Sequence, residues 1–472
     1  MTQEQRIKLP VDPSALPVPL AAPLLEQLHA INSAFENRRA ELKQLELDKG
    51  ISSRKIGAAK KAGAPTDSLL EQVKQLSEQI RTVKSALDQL QDEAGALLAQ
   101  PPAAKDETPA VSAHFLPPPA AASAAEVVGD LTIIEADTSL AEKWNAYVSA
   151  HSRSCVYHRF EFRHIIERSF GHRVLYLAAL DQDQRICGIL PAIQINSRIF
   201  GNYMASVPFF NYGGALADHD EIEQMLMQQL NQRGAALGVS HIEYRDTRPR
   251  PGYVQKTEKS SLILKLPSSP DTLWDDIGTK VRAQIKKAQG SGLTFKTGRH
   301  ELLNDFYHVF AINMRDLGTP VYAMDFFKNI LDAQTLDARL AIAYLNNKPV
   351  SCAFLIAWHD TMEIPWASTL REANACNANM FLYWNVLKSA IESGTGFFDF
   401  GRSSKDAGTF KFKLQWGAQP QQLYWHYWLK DQTELPALNP NNPKYRIAIA
   451  VWQRLPVWLT RLIGPHLVKN LP

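Results

Sequence analysis

From Asp67 to Ala99 apolar residues fall at Leu69, Val73, Leu76, Ile80, Val83, Leu87, Leu90, Ala94 and Leu97, in alternating steps of four and three. A seam recurring about every 3.5 residues lies along one helix face and calls for a matching seam. Leu28, Ile31, Phe35, Leu42 and Leu45 supply one, interrupted at Arg38. Gly50, Gly57, Gly63 and Pro65 punctuate the stretch between, so residues 20–100 read as a long antiparallel helical hairpin. At about 1.5 Å per residue its second helix would run roughly 50 Å.

Residues 101–130 break the pattern with Pro101-Pro102, Pro117-Pro118-Pro119 and Ala120-Ala121-Ala122, which marks a tether reaching about 30 Å as a coil. Beyond it the period changes. Arg173–Leu180 and Arg185–Gln194 read as strands, followed by a helix over Asp220–Leu237 and a strand over His241–Arg245. The order recurs with strands at Arg339–Leu345, Val350–His359 and Met362–Ser368, a helix over Asn379–Glu392 and a strand at Gly396–Gly401. Two similar α/β halves result, 131–266 and 267–430, divided near Leu266-Pro267. A tail over 431–472 mixes Trp452, Trp458, aliphatics and arginines around Pro456. It suits either an interfacial helix touching a membrane face or packing against the body.

At 472 residues the chain exceeds one ordinary core. A net charge of +3 does not demand nucleic acid or anionic lipid, so the distribution of charge carries more information than its sum. Cys155, Cys187, Cys352 and Cys376 are widely spaced with no C-x-x-C pair, against both a disulfide framework and a zinc site. Residues 1–20 hold prolines and charges without an apolar run, and no stretch of about 18 uncharged apolar residues occurs, against secretion and membrane spanning. A cytoplasmic enzyme is expected, able through its tail to meet the inner membrane face, with no cofactor and no metal.

The densest chemistry lies in Asp399-Phe-Gly-Arg402-Ser-Ser-Lys-Asp-Ala-Gly408-Thr-Phe-Lys411-Phe412-Lys413-Leu-Gln-Trp416-Gly417, read as a strand entering a glycine-spaced cationic loop suited to an anion. Arg402 leaves the strand end, where α/β folds meet ligands, and either forks onto a phosphate or carboxylate or is neutralised by Asp399. No Ser-His-Asp set stands out, so direct attack by an acceptor amine is the economical chemistry. Its proton needs a base, for which Asp399, Asp406 and His359 are the candidates.

These residues, with Trp366-Ala-Ser368 and Asn379-Met-Phe-Leu-Tyr383-Trp384-Asn-Val-Leu-Lys388, resemble the FemAB-like branch of the GNAT superfamily, especially members associated with exosortase and exopolysaccharide systems, over about 131–472. The resemblance implies tandem GNAT-like subdomains. It also implies that Lys413, in Phe412-Lys413-x-x-Trp416-Gly417, stabilises charge developing on a scissile ester. Trp366, Ser368, Tyr383, Lys411 and Trp416 are assigned to substrate binding. The basic helix Lys280-Val-Arg282-Ala-Gln-Ile-Lys286-Lys287 resembles the one opening the second half of such proteins, and it meets phosphates or is a solvated surface.

GNAT enzymes that use acyl-CoA hold the pyrophosphate on a glycine-bearing loop before a helix. Arg371–Asn379 has no glycine, and Asn231-Gln-Arg-Gly234-Ala-Ala lacks the leading residue and lies within a helical pattern.

The hairpin offers a donor instead. Lys49, Arg54, Lys55, Lys60 and Lys61 crowd its tip with no acidic residue between Lys49 and Thr66. Ser52-Ser-Arg-Lys-Ile-Gly-Ala-Ala-Lys60-Lys61 and its flanks resemble the tRNA-binding arm of seryl-tRNA synthetases. That implies an aminoacyl-tRNA donor, serine-charged if the arm keeps its ancestral preference, and an amine acceptor such as a cell-envelope or polysaccharide precursor. A heptad arm that only oligomerises an acyl-CoA or acyl-carrier-protein enzyme, and an idle tRNA-binding scaffold, are the alternatives.

Overall fold

A computed structural model describes Leu9 and residues 22–61, 65–98, 131–405, 407–431 and 443–471. The tether over 101–130 and Asp406 lie outside these residues. The chain divides into two compact units, Met1–Val111 and Ser112–Pro472.

In the first unit, α1 (Ala22–Lys61) and α2 (Asp67–Leu98) pack on each other. Leu28, Phe35, Ile80, Val83 and Ala94 are buried, while Lys84 pairs with Glu46 at 3.0 Å and Ser52 reaches Gln72 at 3.4 Å. Gly50 and Gly57, read as punctuation, lie inside α1, each at about 1 kcal/mol relative to alanine. The five tip cations therefore stand on the C-terminal third of a continuous helix, and for Lys60 and Lys61 in its last turn the helix dipole favours positive charge.

The second unit begins with β1 (Thr132–Glu135), α3 (Ala141–Ala150), α4 (Glu161–Phe170), β2 (Arg173–Leu180) and β3 (Ile186–Ser197). It continues with β4 (Gly201–Ala205), β5 (Leu216–Ala217), α5 (Asp220–Ala236), β6 (His241–Asp246) and β7 (Val254–Lys256). Next come β8 (Lys259–Lys265), α6 (Pro270–Asp276), α7 (Thr279–Gln289), β9 (Leu293–Gly298), α8 (Leu303–Leu317) and α9 (Met324–Asp332). After β10 (Asp337–Leu345), β11 (Lys348–Trp358) and β12 (Thr361–Thr369) the chain forms α10 (Ala378–Glu392), β13 (Phe397–Ser404) and α11 (Gly408–Leu414). It ends with β14 (Gln419–Gln422), β15 (Tyr424–Leu429), α12 (Pro443–Trp452) and α13 (Val457–Val468).

Two sheets form. One runs β1-β2-β3-β4-β6-β15-β7 with β5 on β3, the other β14-β8-β13-β12-β11-β10-β9. The chain crosses from the first sheet to the second between β7 and β8, ahead of Leu266-Pro267, and β15 returns to the first. This exchange ties the halves together, and one apolar core runs through both, with Phe170 of α4 against Phe326 of α9 at 4.9 Å.

Each sheet holds one parallel pair, and both pairs are short. β4 and β6 match only at Met204/Ile242 and Ala205/Glu243. β12 and β13 match at Thr361/Phe397, Met362/Phe398 and Glu363/Asp399 and pair no further. Parallel neighbours joined by a helix that then part leave a wedge at their C-terminal ends, the place where α/β sheets take ligands. Among the described residues no helix is long and apolar enough to cross a membrane.

Candidate active site

Asp399 interrupts an otherwise apolar strand, Phe397-Phe-Asp-Phe400, and its side chain is fully buried. A buried carboxylate needs donors, and three are supplied. Oδ1 accepts from Ser261 Oγ at 2.6 Å and from the Gly401 N–H at 2.7 Å, and Oδ2 accepts from Tyr212 Oη at 2.8 Å. Burial still pushes the Asp399 carboxyl above its usual range. Its register neighbour Glu363, 4% exposed, accepts from Asn211 Nδ2 at 2.6 Å. Burial, then the adjacent Asp399 charge, pushes Glu363 up to about 8. Two carboxyls side by side in a dry site share a proton at neutral pH.

The third charge is Lys413. Gly401, at φ +73°, sits in a bulge where β13 slips register against β8 between Asp399 and Arg402. The bulge turns two carbonyls toward α11, and Lys413 Nζ donates to Gly401 O at 2.8 Å and Arg402 O at 3.1 Å. Burial lowers the Lys413 ammonium to about 8, against the pull of Asp399. The segment expected as a cationic loop is thus partly helical: Lys411 and Lys413 lie on α11, Lys411 exposed and Lys413 buried.

Arg402 does not bond Asp399. Its guanidinium lies 4.9 Å from the Trp425 ring centre and donates to Phe210 O at 3.3 Å. Arg245 stands over the same indole at 4.4 Å, bonds Phe210 O at 2.6 Å, and pairs with Glu243 at 2.7 Å. Burial and the Arg245 charge bring Arg402 down to about 10. Arg245 Nη2 and Trp425 Nε1 are buried donors without a partner.

Three of these partners come from one stretch absent from the sequence reading, Val207-Pro-Phe-Phe-Asn-Tyr-Gly-Gly214, which leaves β4 where its parallel pairing stops. Phe210 offers its carbonyl to both arginines, Asn211 holds Glu363 and Tyr212 holds Asp399. Three aromatics, an amide and paired glycines in a turn are a legible loop signal; what they reach is set by tertiary structure. Glu363 carried a signal of its own, a lone acid within an apolar strand.

Glu363 and Tyr212 line a cleft of about 340 Å³, with Ser154, Cys155, Arg245 and His359 among its other walls. His359, at φ +49°, meets Ser154 Oγ at 3.2 Å, and burial lowers its pKa. Burial pushes the Cys155 thiol up, so it is no thiolate nucleophile.

Several expected binding residues are buried or partly buried in the packing. Trp416 and Tyr383 are buried, Tyr383 stacking on Phe400 at 5.7 Å, and Ser368 accepts from Asn313 at 2.9 Å. Trp366 packs edge-on to Phe327 at 5.2 Å and Phe354 at 5.4 Å. These aromatics fill space between sheet and helices, as such residues usually do. On α7, Lys280, Lys286 and Lys287 are exposed, while Arg282 donates to the Trp274 and Asp275 carbonyls at the end of α6. Arg371–Cys376 form a short 3-10 helix before α10. Among the described residues no group of three or more His, Cys, Asp or Glu could hold a metal ion.

Residues 278–414 match a family model described as an acetyltransferase (GNAT) domain. That span contains α7, both parallel strands, Glu363, Asp399, Arg402 and Lys413. No curated protein matches the chain. Among solved structures, FemX is 14% identical over 67% of this chain and 100% of its own, with a TM-score of 0.48. The tandem GNAT protein from the clavulanic acid pathway is 11% identical over 64% and 98%, TM-score 0.44. L-PGS from Bacillus licheniformis is 12% identical over 64% and 96%, TM-score 0.41.

Proposed function

We propose that this acyltransferase, so classed by its GNAT domain, moves an aminoacyl group from aminoacyl-tRNA to an amine acceptor. The observation carrying the reading is the buried Glu363/Asp399 pair, of which Glu363 lies in the cleft wall and stands at about 8. An amine acceptor arrives protonated and must lose a proton to attack, and a base of that strength is matched to the task near neutral pH.

The acceptor ammonium first loses one proton to solvent by way of the Glu363/Asp399 pair, and the free amine then attacks the ester carbonyl while its second proton passes to that pair. The carbon–oxygen bond to the ribose then breaks, an amide forms, and the proton leaves on the ribose hydroxyl. Lys413, with two of its three N–H groups engaged by carbonyls, has one left for charge developing on the ester oxygen. Arg402 and Arg245 offer the free guanidinium donors for an anionic part of a substrate.

The donor assignment rests on the first unit. We read α1 and α2 as an antiparallel coiled-coil hairpin like the tRNA-binding arm of seryl-tRNA synthetases, its contact residues being Lys49, Arg54, Lys55, Lys60 and Lys61. An acyl-CoA donor has the acetyltransferase description in its favour and the glycine-free Arg371–Asn379 turn against it.

The test is donor choice. Full-length protein is given a panel of aminoacyl-tRNAs, seryl-tRNA first, or acetyl-CoA, with a mixture of primary amines, and products are read by mass spectrometry. Amide formation from charged tRNA alone is expected. Transfer from the thioester alone overturns the donor, and no transfer from either to any amine overturns the reading.

A further inference from the structure

We propose that α12 and α13 form a membrane-docking face that holds the protein against an anionic lipid surface.

Among the described residues, the second unit leaves eight large hydrophobic side chains exposed, and four of them belong to this helical pair and the helix end beneath it. Trp458 is 67% exposed, Leu462 61%, Val451 53% and Leu317, at the end of α8, 59%. Gly318, the next residue, faces Ile449 of α12, which places Leu317 beside that helix.

The pair is anchored rather than loose. Thr460, Gly464 and Val468 of α13 are buried, His172 meets Lys469 O at 2.6 Å, and Tyr203 donates to Asn470 O at 2.8 Å. Pro456 stands at the N-cap of α13 and fixes its start. With that inner face held, Trp458, Leu462 and His466 point outward at helical spacing, while the exposed Arg461 lays its guanidinium over the Tyr307 ring at 4.9 Å. An outward Trp and Leu between cations on a docked helix is unfavourable in water and suits the boundary between headgroups and acyl chains.

Charge selects the kind of surface. Residues 443–471 contain Lys444, Arg446, Arg454, Arg461 and Lys469 and no acidic residue. Arg454 and Arg461 are exposed. On the packed α8, the Asp316 carboxylate is engaged by Arg315 at 2.6 Å and lies 3.8 Å from Arg371. Cations around an apolar ridge without opposing acids match an anionic leaflet, where each is worth about 1 kcal/mol. The absence of a spanning helix among the described residues makes this attachment peripheral.

The test is flotation of full-length protein with phosphatidylcholine vesicles and with vesicles also containing phosphatidylglycerol. Binding to the anionic vesicles alone, weakening with salt, is expected. Trp458→Ser with Leu462→Ser should abolish it, and Arg454→Gln with Arg461→Gln should weaken it about fivefold per cation, the equivalent of about 1 kcal/mol each. All four positions are exposed, and unchanged melting temperatures confirm the variants fold. Equal binding to both vesicle types, no binding, or variants that bind as wild type overturn the proposal. So does a dimer, by sedimentation, that the Trp458/Leu462 variant alone breaks, since that assigns the face to a second copy. None of these outcomes depends on the acyl donor.

Discussion

Burying one carboxyl beside another makes its proton hard to remove, and Glu363 carries that burden with one amide donor where Asp399 has three. The consequence for rate is an acid limb below about 8, where kcat/KM rises as the base becomes free, followed by a fall above about 8 as Lys413 loses the proton it offers the ester. Glu363→Gln, which still accepts from Asn211, should lose at least about a hundredfold in kcat and with it that limb. Stability moves the other way. A carboxyl whose folded pKa lies above its unfolded value holds an extra proton in the native state, so the stability it lends is full below the unfolded value and falls as pH rises through about 8. Melting temperature between pH 6 and 9 should therefore fall less in Glu363→Gln than in wild type. A variant with the wild-type slope would show that Glu363 is ionised in the fold. Asp399, Arg402 and Lys413 were readable beforehand because they fall in one compact motif. Glu363 was not, because a single acid in a strand declares its burial only when the neighbouring strands are known.

At the scale of elements, the strands over 173–194 and 337–404 follow the hydrophobic alternation to within a few residues, since burial on one or both faces is what that alternation encodes. The seven-residue α11 escaped, being too short to show a helical period and opening on a glycine. So did the Val207–Gly214 loop, whose role is fixed by what it reaches across the sheets. The Gly401 bulge joins these pieces. At φ +73° an alanine pays about 1–2 kcal/mol, and its Cβ would stand 3.2 Å from Asn211 Nδ2, pressing on the donor to Glu363. Gly401→Ala should thus cost both stability and rate. Tyr212→Phe makes a sharper test, since it removes one of three donors to Asp399 and leaves the ring. It should shift the rate limb to higher pH, because the carboxyl pair is then less able to release its proton, with a melting temperature change of a few degrees. An unchanged limb would separate Asp399 from the base.

For the molecule as a whole, the question is whether a helical unit with a basic end serves to hold RNA or to hold another copy of the chain, and salt tells these apart. Each phosphate neutralised releases counterions, which steepens the dependence of log affinity on log salt by about 0.7 to 0.9. Five cations, Lys49, Arg54, Lys55, Lys60 and Lys61, therefore set a slope of up to about −4 for tRNA binding. Replacing all five by Gln leaves the heptad seam intact and keeps residues that sit well in a helix, so helicity measured by circular dichroism should hold. Binding should weaken steeply at low salt and the slope should flatten toward what the second unit alone contributes. Acyl transfer to the amine from charged tRNA should fall through KM, with kcat little changed, because the Glu363/Asp399 pair is untouched and only capture of the donor is impaired. A slope that does not move, with a molar mass by light scattering that halves when the seam residues Ile80 and Val83 are made polar, would assign the helices to self-association and leave the enzyme to find its donor through the second unit.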